Sequence, residues 1–291
     1  MSYSRRTNFS NWSVLIDQNE MTPRDAKNLR KKIKATLKSA TAKQMINHGY
    51  VFDGLLATGS NQALLYKVIE ISTYKAYCAK VYPLEDKSSF EIELNASNMI
   101  HEESLKSQIV CYKQLSFCHT SSGSDSLGLL MPLFKISLHE ILEANRDTPV
   151  PLFHFFKIAK NLVYAGFCFQ NCGYAHCDIK PSNIMMNDEG FPVVIDLGAV
   201  TKLGDSCVEN TRFYCLDSSL TNVDSTFDLN CIIVTLAQCF ICDFEVRYRT
   251  RDHLKVMLAA QTDKGLQKYA DLCLKLLDFD SCEQAHLGLE L

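Results

Sequence analysis

Two short apolar runs joined by a turn, with polar residues bracketing them, constrain this chain more than any other feature. Residues 176–198 read HCDIKPSNIMMNDEGFPVVIDLG. Ile184-Met185-Met186 is apolar. Asn187-Asp188-Glu189-Gly190 is turn chemistry with a glycine free to take φ > 0, and Pro192-Val193-Val194-Ile195 is rich in β-branched residues. The pattern predicts a β-hairpin. A hairpin returns its second strand beside the start of its first, so Asn183 and Asp196 are expected to be neighbours. Asp178 and Lys180 lie on the loop that leads in. An amide oxygen and a carboxylate are hard donors of the kind Mg2+ takes alongside substrate phosphates. A second carboxylate and an ammonium nearby could orient a hydroxyl and neutralise a phosphate. Phosphoryl transfer asks for that positioning and charge, and for little covalent chemistry.

HCDIKPSN followed by IDLG resembles the catalytic loop and metal-binding motif of the eukaryotic protein kinases, H-R-D-x-K-x-x-N and then D-F-G. The resemblance implies an α+β, two-lobed fold. A small β-rich N-lobe would span residues 50–131 and a larger, mainly α-helical C-lobe 135–291, after an N-terminal extension over 1–49. It implies ATP between the lobes, one or two Mg2+ ions held by Asn183 and Asp196, Asp178 as catalytic base, and Lys180 on the γ-phosphate. A lysine at that place implies Ser/Thr rather than Tyr hydroxyls of protein substrates. A pseudokinase scaffold is the alternative reading, because other family motifs are eroded here. A small-molecule kinase of related fold would look like H-G-D-x-H-x-x-N with a later D-x-E, and Lys180 and Gly198 speak against it.

In the first lobe, Tyr50-Val51-Phe52 with Leu55-Leu56, Ala63 to Ile71, and Tyr74 to Tyr82 read as three strands. The turn between the first two stands where the family has G-x-G-x-x-G-x-V. Only the middle glycine, Gly59, is present; Ala57 and Gln62 take the outer glycine positions and Leu64 the valine position. Fewer glycines mean less room for backbone N–H groups to approach phosphates, so weaker ATP binding is expected. Ala79-Lys80-Val81 resembles the end of the V-A-I-K strand, which makes Lys80 the holder of the α- and β-phosphates. The resemblance further places Leu56, Gly59, Ser60, Leu64, Ala79, Met131 and Leu133 around the nucleotide. A helix from Ser89 to Leu105 should supply the glutamate that pairs with Lys80; Glu93 is the first choice, with Glu91 and Glu102 open. Gly128 to Met131 reads as a strand, and Pro132-Leu133-Phe134 as the connection between lobes, where Pro132 removes one backbone donor.

In the second lobe, helices are expected over Ser137–Ala144, Leu152–Phe169, Leu229–Phe240 and Leu266–Leu277, and the last family helix is expected to be short or missing. Cys177 replaces the arginine that in the family pairs with a phosphorylated activation loop, which implies that the loop need not be phosphorylated to order the site. Thr211-Arg-Phe-Tyr214 resembles the G-T-x-x-Y segment, which would set Thr211 near Asp178 and Lys180. The family's A-P-E is Leu216-Asp217-Ser218 here, and the arginine its glutamate pairs with is missing too. Both halves of the ion pair are absent, so neither is left as a buried uncompensated charge. Asp228 matches the aspartate that accepts hydrogen bonds from the catalytic-loop backbone, and an N-cap role is compatible with that.

Composition sets the remaining limits. A formal net charge of -3 creates no global field that favours nucleic acid or membrane. The 13 cysteines are scattered and odd in number, and residues 1–20 hold no signal-like apolar run, so reduced thiols in a cytoplasmic or nuclear protein are expected. Cys239-Phe-Ile-Cys242 is a lone C-x-x-C, better read as two core cysteines than as a zinc site. No apolar stretch is long enough to span a bilayer. Thr22-Pro23-Arg24-Asp25 starts a helix whose apolar positions Ala26, Leu29, Ile33 and Leu37 face away from Lys27, Arg30, Lys31, Lys34 and Lys38. It reads as an amphipathic helix packed on the main domain. A docking helix for a regulatory partner, or an import signal through Arg30-Lys31-Lys32, is the sharper possibility.

Overall fold

The computed structural model of the protein describes residues 49–59, 63–83, 86–100, 109–110, 112–117, 126–207, 211, 214–216, 222–241 and 250–289. The basic helix expected from Thr22, Ser60, Gln62, Glu102 and Cys242 lie outside the described residues. The described residues fall into two compact units, a sheet unit (49–99 and Val110–Phe134) and a helical unit (Ile100, Ile109 and the residues from Lys135 onward).

The sheet unit contains β1 (Tyr50–Thr58), β2 (Leu64–Glu70), β3 (Ala76–Pro83), α1 (Lys87–Met99), β4 (Lys113–Phe117) and β5 (Ser126–Pro132). The strands form one antiparallel sheet in the order β1-β2-β3-β5-β4. Tyr50, Val68, Ala79, Val81 and Leu130 form a buried cluster, with Phe52, Tyr66 and Tyr77 packed against it. Side chains alternate along a strand, so Cys78, Lys80 and Tyr82 stand on the opposite face of β3, the face that α1 covers through Glu93. Pro132, expected just past the strand, is its last residue and pairs with Tyr77. β4 reaches no further than Leu130 on the other side, so the missing N–H breaks no ladder there.

The helical unit contains β6 (Ile136–Ser137), α2 (Leu138–Ala144), α3 (Leu152–Asn171), β7 (Tyr174–Ala175), β8 (Ile184–Met186), β9 (Pro192–Val194), β10 (Thr201–Lys202), α4 (Phe227–Gln238), α5 (Arg251–Ala259), α6 (Gln267–Leu276) and α7 (Cys282–Gly288). A capping box opens α2: Ser137 accepts from the Glu140 N–H, and Glu140 accepts from the Ser137 N–H. Every residue of α4 from Phe227 to Ala237 is buried, as an all-round apolar helix requires, and α4 sits at the centre of the unit. α3 runs two residues beyond the expected Phe169 and stops where Gly173 takes φ 82°. A short α7 follows α6 and packs on α3.

That contact depends on a glycine. A Cβ at Gly166 on α3 would lie 2.5 Å from Cys282 Sγ on α7. Gly166→Ala is therefore expected to cost about 1–3 kcal/mol by overpacking. Pairing it with Cys282→Ala, which removes the blocking sulfur, should restore most of that loss in urea unfolding. Equal stability of the wild type and Gly166→Ala would show that the helices separate freely.

Arg251 makes a second tie. Its guanidinium donates to Leu277 O and Phe279 O at 2.7 Å each and to Asn230 Oδ1 at 3.1 Å. A cation so placed satisfies carbonyls at the C-terminal end of α6 and links it to α4 and α5. The sequence gives no motif for this clasp, because its acceptors are mostly backbone.

Candidate active site

The residues singled out from the sequence divide between the two units. In the sheet unit, Lys80 and Glu93 form a buried ion pair, 4% and 2% exposed. Glu93, not Glu91, is thus the partner; Glu91 instead pairs with Lys87 on the same helix at 3.1 Å. Tyr82 also donates its hydroxyl to Glu93 Oε1, a contact absent from the sequence reading.

Pleating corrects two expected nucleotide contacts. Ala79 and Leu64 lie on the sheet face opposite Lys80: Ala79 belongs to the Tyr50–Val68 core, and Leu64 pairs with Val81 of that core. Cys78 and Leu65 share the face of Lys80 instead, with Leu65 directly opposite it in the β2–β3 register and Met131 opposite Cys78. Counting back by two from Lys80 would have found Cys78. Leu64 was expected at the nucleotide because the valine position was counted from a loop whose glycines are mostly gone. Leu56 falls at a register shift of β1 and is 48% exposed. Gly59 turns the chain through a 2.7 Å bond from its N–H to Ala63 O. Leu133 follows β5 and is half-buried.

In the helical unit the predicted hairpin forms, with Ile184 opposite Val194 and Met186 opposite Pro192. The Ile195 N–H donates to Asn183 O at 2.9 Å, so Asn183 and Asp196 stand at the same end of the hairpin. Asp196 has φ 64° and ψ 77°, a left-handed conformation uncommon outside glycine, asparagine and aspartate. Asn183 is buried, and its Nδ2 donates to Asp178 O at 3.0 Å and Asp178 Oδ2 at 2.9 Å. Lys180 Nζ reaches Asp178 Oδ2 and Thr211 Oγ1, both at 2.7 Å. The Thr211 N–H donates to Asp178 Oδ1 at 3.1 Å. Asp178, Lys180, Asn183 and Thr211 are therefore one hydrogen-bonded network.

α4 holds this loop from below. Asp228 accepts the His176 N–H at 2.7 Å and the Cys177 N–H at 2.9 Å, one on each oxygen. It lies inside the first turn rather than at the N-cap, which is Thr226. Burial raises the Asp228 carboxyl above the usual carboxylate range, against the opposing pull of His176 and the two backbone donors. His176 is fully buried; its Nδ1 accepts the Asp178 N–H at 3.2 Å, which leaves Nε2–H to donate to Ile195 O at 3.1 Å. One imidazole thus joins the loop to the hairpin, and the two bonds fix its tautomer.

Cys177, where an arginine was expected from the family pattern, has φ 65°. Its thiol donates to Ala175 O at 3.6 Å, and the neighbouring Cys207 thiol together with burial raises it well above the ordinary thiol value. The segment after Asp196 is further tied down by backbone: Thr201 and Lys202 pair with Ala175 and Tyr174, and Ser206 bridges to Asn222.

The donor set can be tested against Mg2+. Among the described residues no group of three or more His, Cys, Asp or Glu could cage a metal. Asn183 and Asp196 supply two hard oxygens at one hairpin end, and this suits an ion that keeps phosphate and water as its other ligands.

A model of the protein kinase domain matches residues 50–222, more than half of the 291 residues. Over 83 residues the chain is 33% identical to the probable serine/threonine-protein kinase clkA of Dictyostelium discoideum, which covers 27% of this chain and 9% of that protein. Over 37 residues it is 49% identical to serine/threonine-protein kinase 16 of Mus musculus, covering 13% of this chain and 11% of the relative. Over 30 residues it is 57% identical to the Homo sapiens protein of that name, covering 10% of each. The chain spans about a tenth of the length of these curated relatives. With the antiparallel sheet unit, the helical unit and the family match all in place, the chain belongs to the protein kinase domain family.

Proposed function

We propose that this chain transfers the γ-phosphate of Mg-ATP to serine or threonine hydroxyls of protein substrates. The observation that carries the proposal is the network around Asp178. Both carboxylate oxygens are fixed by Lys180, Asn183 and the Thr211 N–H. A carboxylate has about four lone-pair sites, so Oδ1 keeps room to accept a substrate hydroxyl proton. Lys180, bonded to both Asp178 and Thr211, is placed to neutralise charge on a phosphate beside that hydroxyl. Asn183 and Asp196 would hold Mg2+, which would supply positive charge to offset that of the phosphates. Lys80, fixed by Glu93, would hold the α- and β-phosphates. The names of the curated relatives support serine/threonine specificity, and Lys180 agrees with it.

The free thiols among the described cysteines suit a reducing compartment, cytoplasm or nucleus. No described helix is long and apolar enough to cross a membrane. The basic segment from Thr22 is offered as a docking helix for a partner. A second reading, a pseudokinase scaffold, is favoured by Ala57 and Gln62 in place of glycines.

The test is a peptide library incubated with radiolabelled Mg-ATP, followed by phosphoamino-acid analysis. Label on serine and threonine, lowered at least about 100-fold by Asp178→Asn, is expected. Label on tyrosine alone would overturn the specificity, and no label with intact ATP binding would favour the scaffold.

A further inference from the structure

Tyr82 has no part in the reading above, yet it touches the residue that sets Lys80. It stands two residues beyond Lys80 on β3, so the pleat sends both side chains to the same face. It is 1% exposed. Its hydroxyl donates to Glu93 Oε1, the same oxygen that receives Lys80. Its ring meets Phe90 edge-on at 5.9 Å between centroids, and Phe90 lies one turn before Glu93 on α1, on the same helix face. The Lys80 ammonium lies 5.4 Å from the Tyr82 ring centroid. Tyr82 therefore grips α1 at two points, and each bears on the ion pair.

A neutral second donor on one carboxylate oxygen has two physical effects. It keeps Glu93 against β3 independently of Lys80, so the helix does not rely on the ammonium for its seat. It also divides that oxygen's lone pairs between two donors, which weakens its hold on Lys80. A buried lysine wholly committed to its carboxylate would make a poor phosphate ligand.

We propose that Tyr82 is a positioning residue for nucleotide binding: its hydroxyl anchors Glu93, and through Glu93 it presents the Lys80 ammonium to the α- and β-phosphates of ATP. The proposal rests on the reading that Lys80 holds those phosphates.

Tyr82→Phe is the test, because it keeps the ring and its packing on Phe90 and removes only the hydroxyl. Mg-ATP affinity is measured by isothermal titration, and KM for ATP and kcat by peptide phosphorylation, on the full chain. The expected result is a five- to tenfold rise in Kd and KM for ATP, with KM for peptide unchanged and kcat within about twofold. A merely structural role would lower kcat through the active fraction and leave KM for ATP alone. In a Lys80→Met background the same change should alter ATP affinity by less than about twofold, since the lysine it acts through is gone. Equal ATP affinity for the wild type and Tyr82→Phe overturns the positioning role at any transfer rate. Wild-type ATP binding without transfer overturns the catalytic reading but leaves the positioning role to be decided by Kd. Absence of ATP binding by the wild type overturns both.

Discussion

Lys80→Met and Asp196→Asn are each expected to lower phosphate transfer to peptide by at least about 100-fold, the size usual for losing one preorganised electrostatic group. They should do so in different ways. Lys80 and Glu93 are both buried, so methionine at 80 leaves a carboxylate inside the protein without its cation. Breaking a buried pair from one side costs about 3–5 kcal/mol. Tyr82 still donates to Glu93, which should hold the cost near the lower end. Part of the activity lost by Lys80→Met will thus be stability, and its melting temperature should fall by roughly 6–12 °C at about 2–4 °C per kcal/mol.

Asp196→Asn is the cleaner variant. Asp196 has φ 64°, a conformation that asparagine tolerates and alanine does not. The substitution keeps the backbone and removes the charge that would face Mg2+. Its melting temperature should stay within about 2 °C of the wild type while transfer collapses. Raising Mg2+ should recover part of the activity of Asp196→Asn and none of that of Lys80→Met. Equal transfer by the wild type and both variants, in assays run well below all melting temperatures, would end the enzyme reading.

How much of this was legible depended on where each residue draws its constraint. The hairpin and the Asn183–Asp196 neighbourhood follow from local pattern alone, two apolar runs and a Gly190 turn, and the structure places them as the pattern requires. Glu93 needed one tertiary fact, which helix face meets Lys80, and the sequence could only rank it ahead of Glu91 and Glu102. Ala79 and Leu64 were misplaced because a motif was read as a string rather than as a pleated strand. A shift of one residue moves a side chain to the other face, and the eroded loop offered no glycine to fix the count. Tyr82 and Arg251 were invisible for a further reason. Their partners are a carboxylate on another element and bare carbonyls, and neither leaves a spacing in the chain.

Asp228→Ala is expected to be the most destabilising single change in the helical unit. His176 and Cys177 are both fully buried, and their N–H groups each rely on one oxygen of Asp228. Alanine leaves both donors unpaired, at about 1–3 kcal/mol each, against a total stability of order 5–15 kcal/mol for a domain. Cys177 adds to the effect. Its φ of 65° is a conformation that persists only while its surroundings hold it, and Asp228 is what holds its N–H. Once released, the loop can relax, and it carries Asp178 with it through the bond from the Asp178 N–H to His176. Transfer should therefore fall together with the urea midpoint. The pH dependence separates this from a general loosening. Burial raises the Asp228 carboxyl in the folded state, so above the unfolded value, about 3.9, the folded protein binds more protons than the unfolded chain. Stability attributable to this group then falls as pH rises through the window between the two values. The wild type's advantage over Asp228→Ala should accordingly be largest near pH 4 and shrink toward neutrality, while staying positive because the two amides still need their acceptor. An advantage that grew with pH would show that His176 and the two backbone donors outweigh burial and hold the Asp228 carboxyl below its ordinary value.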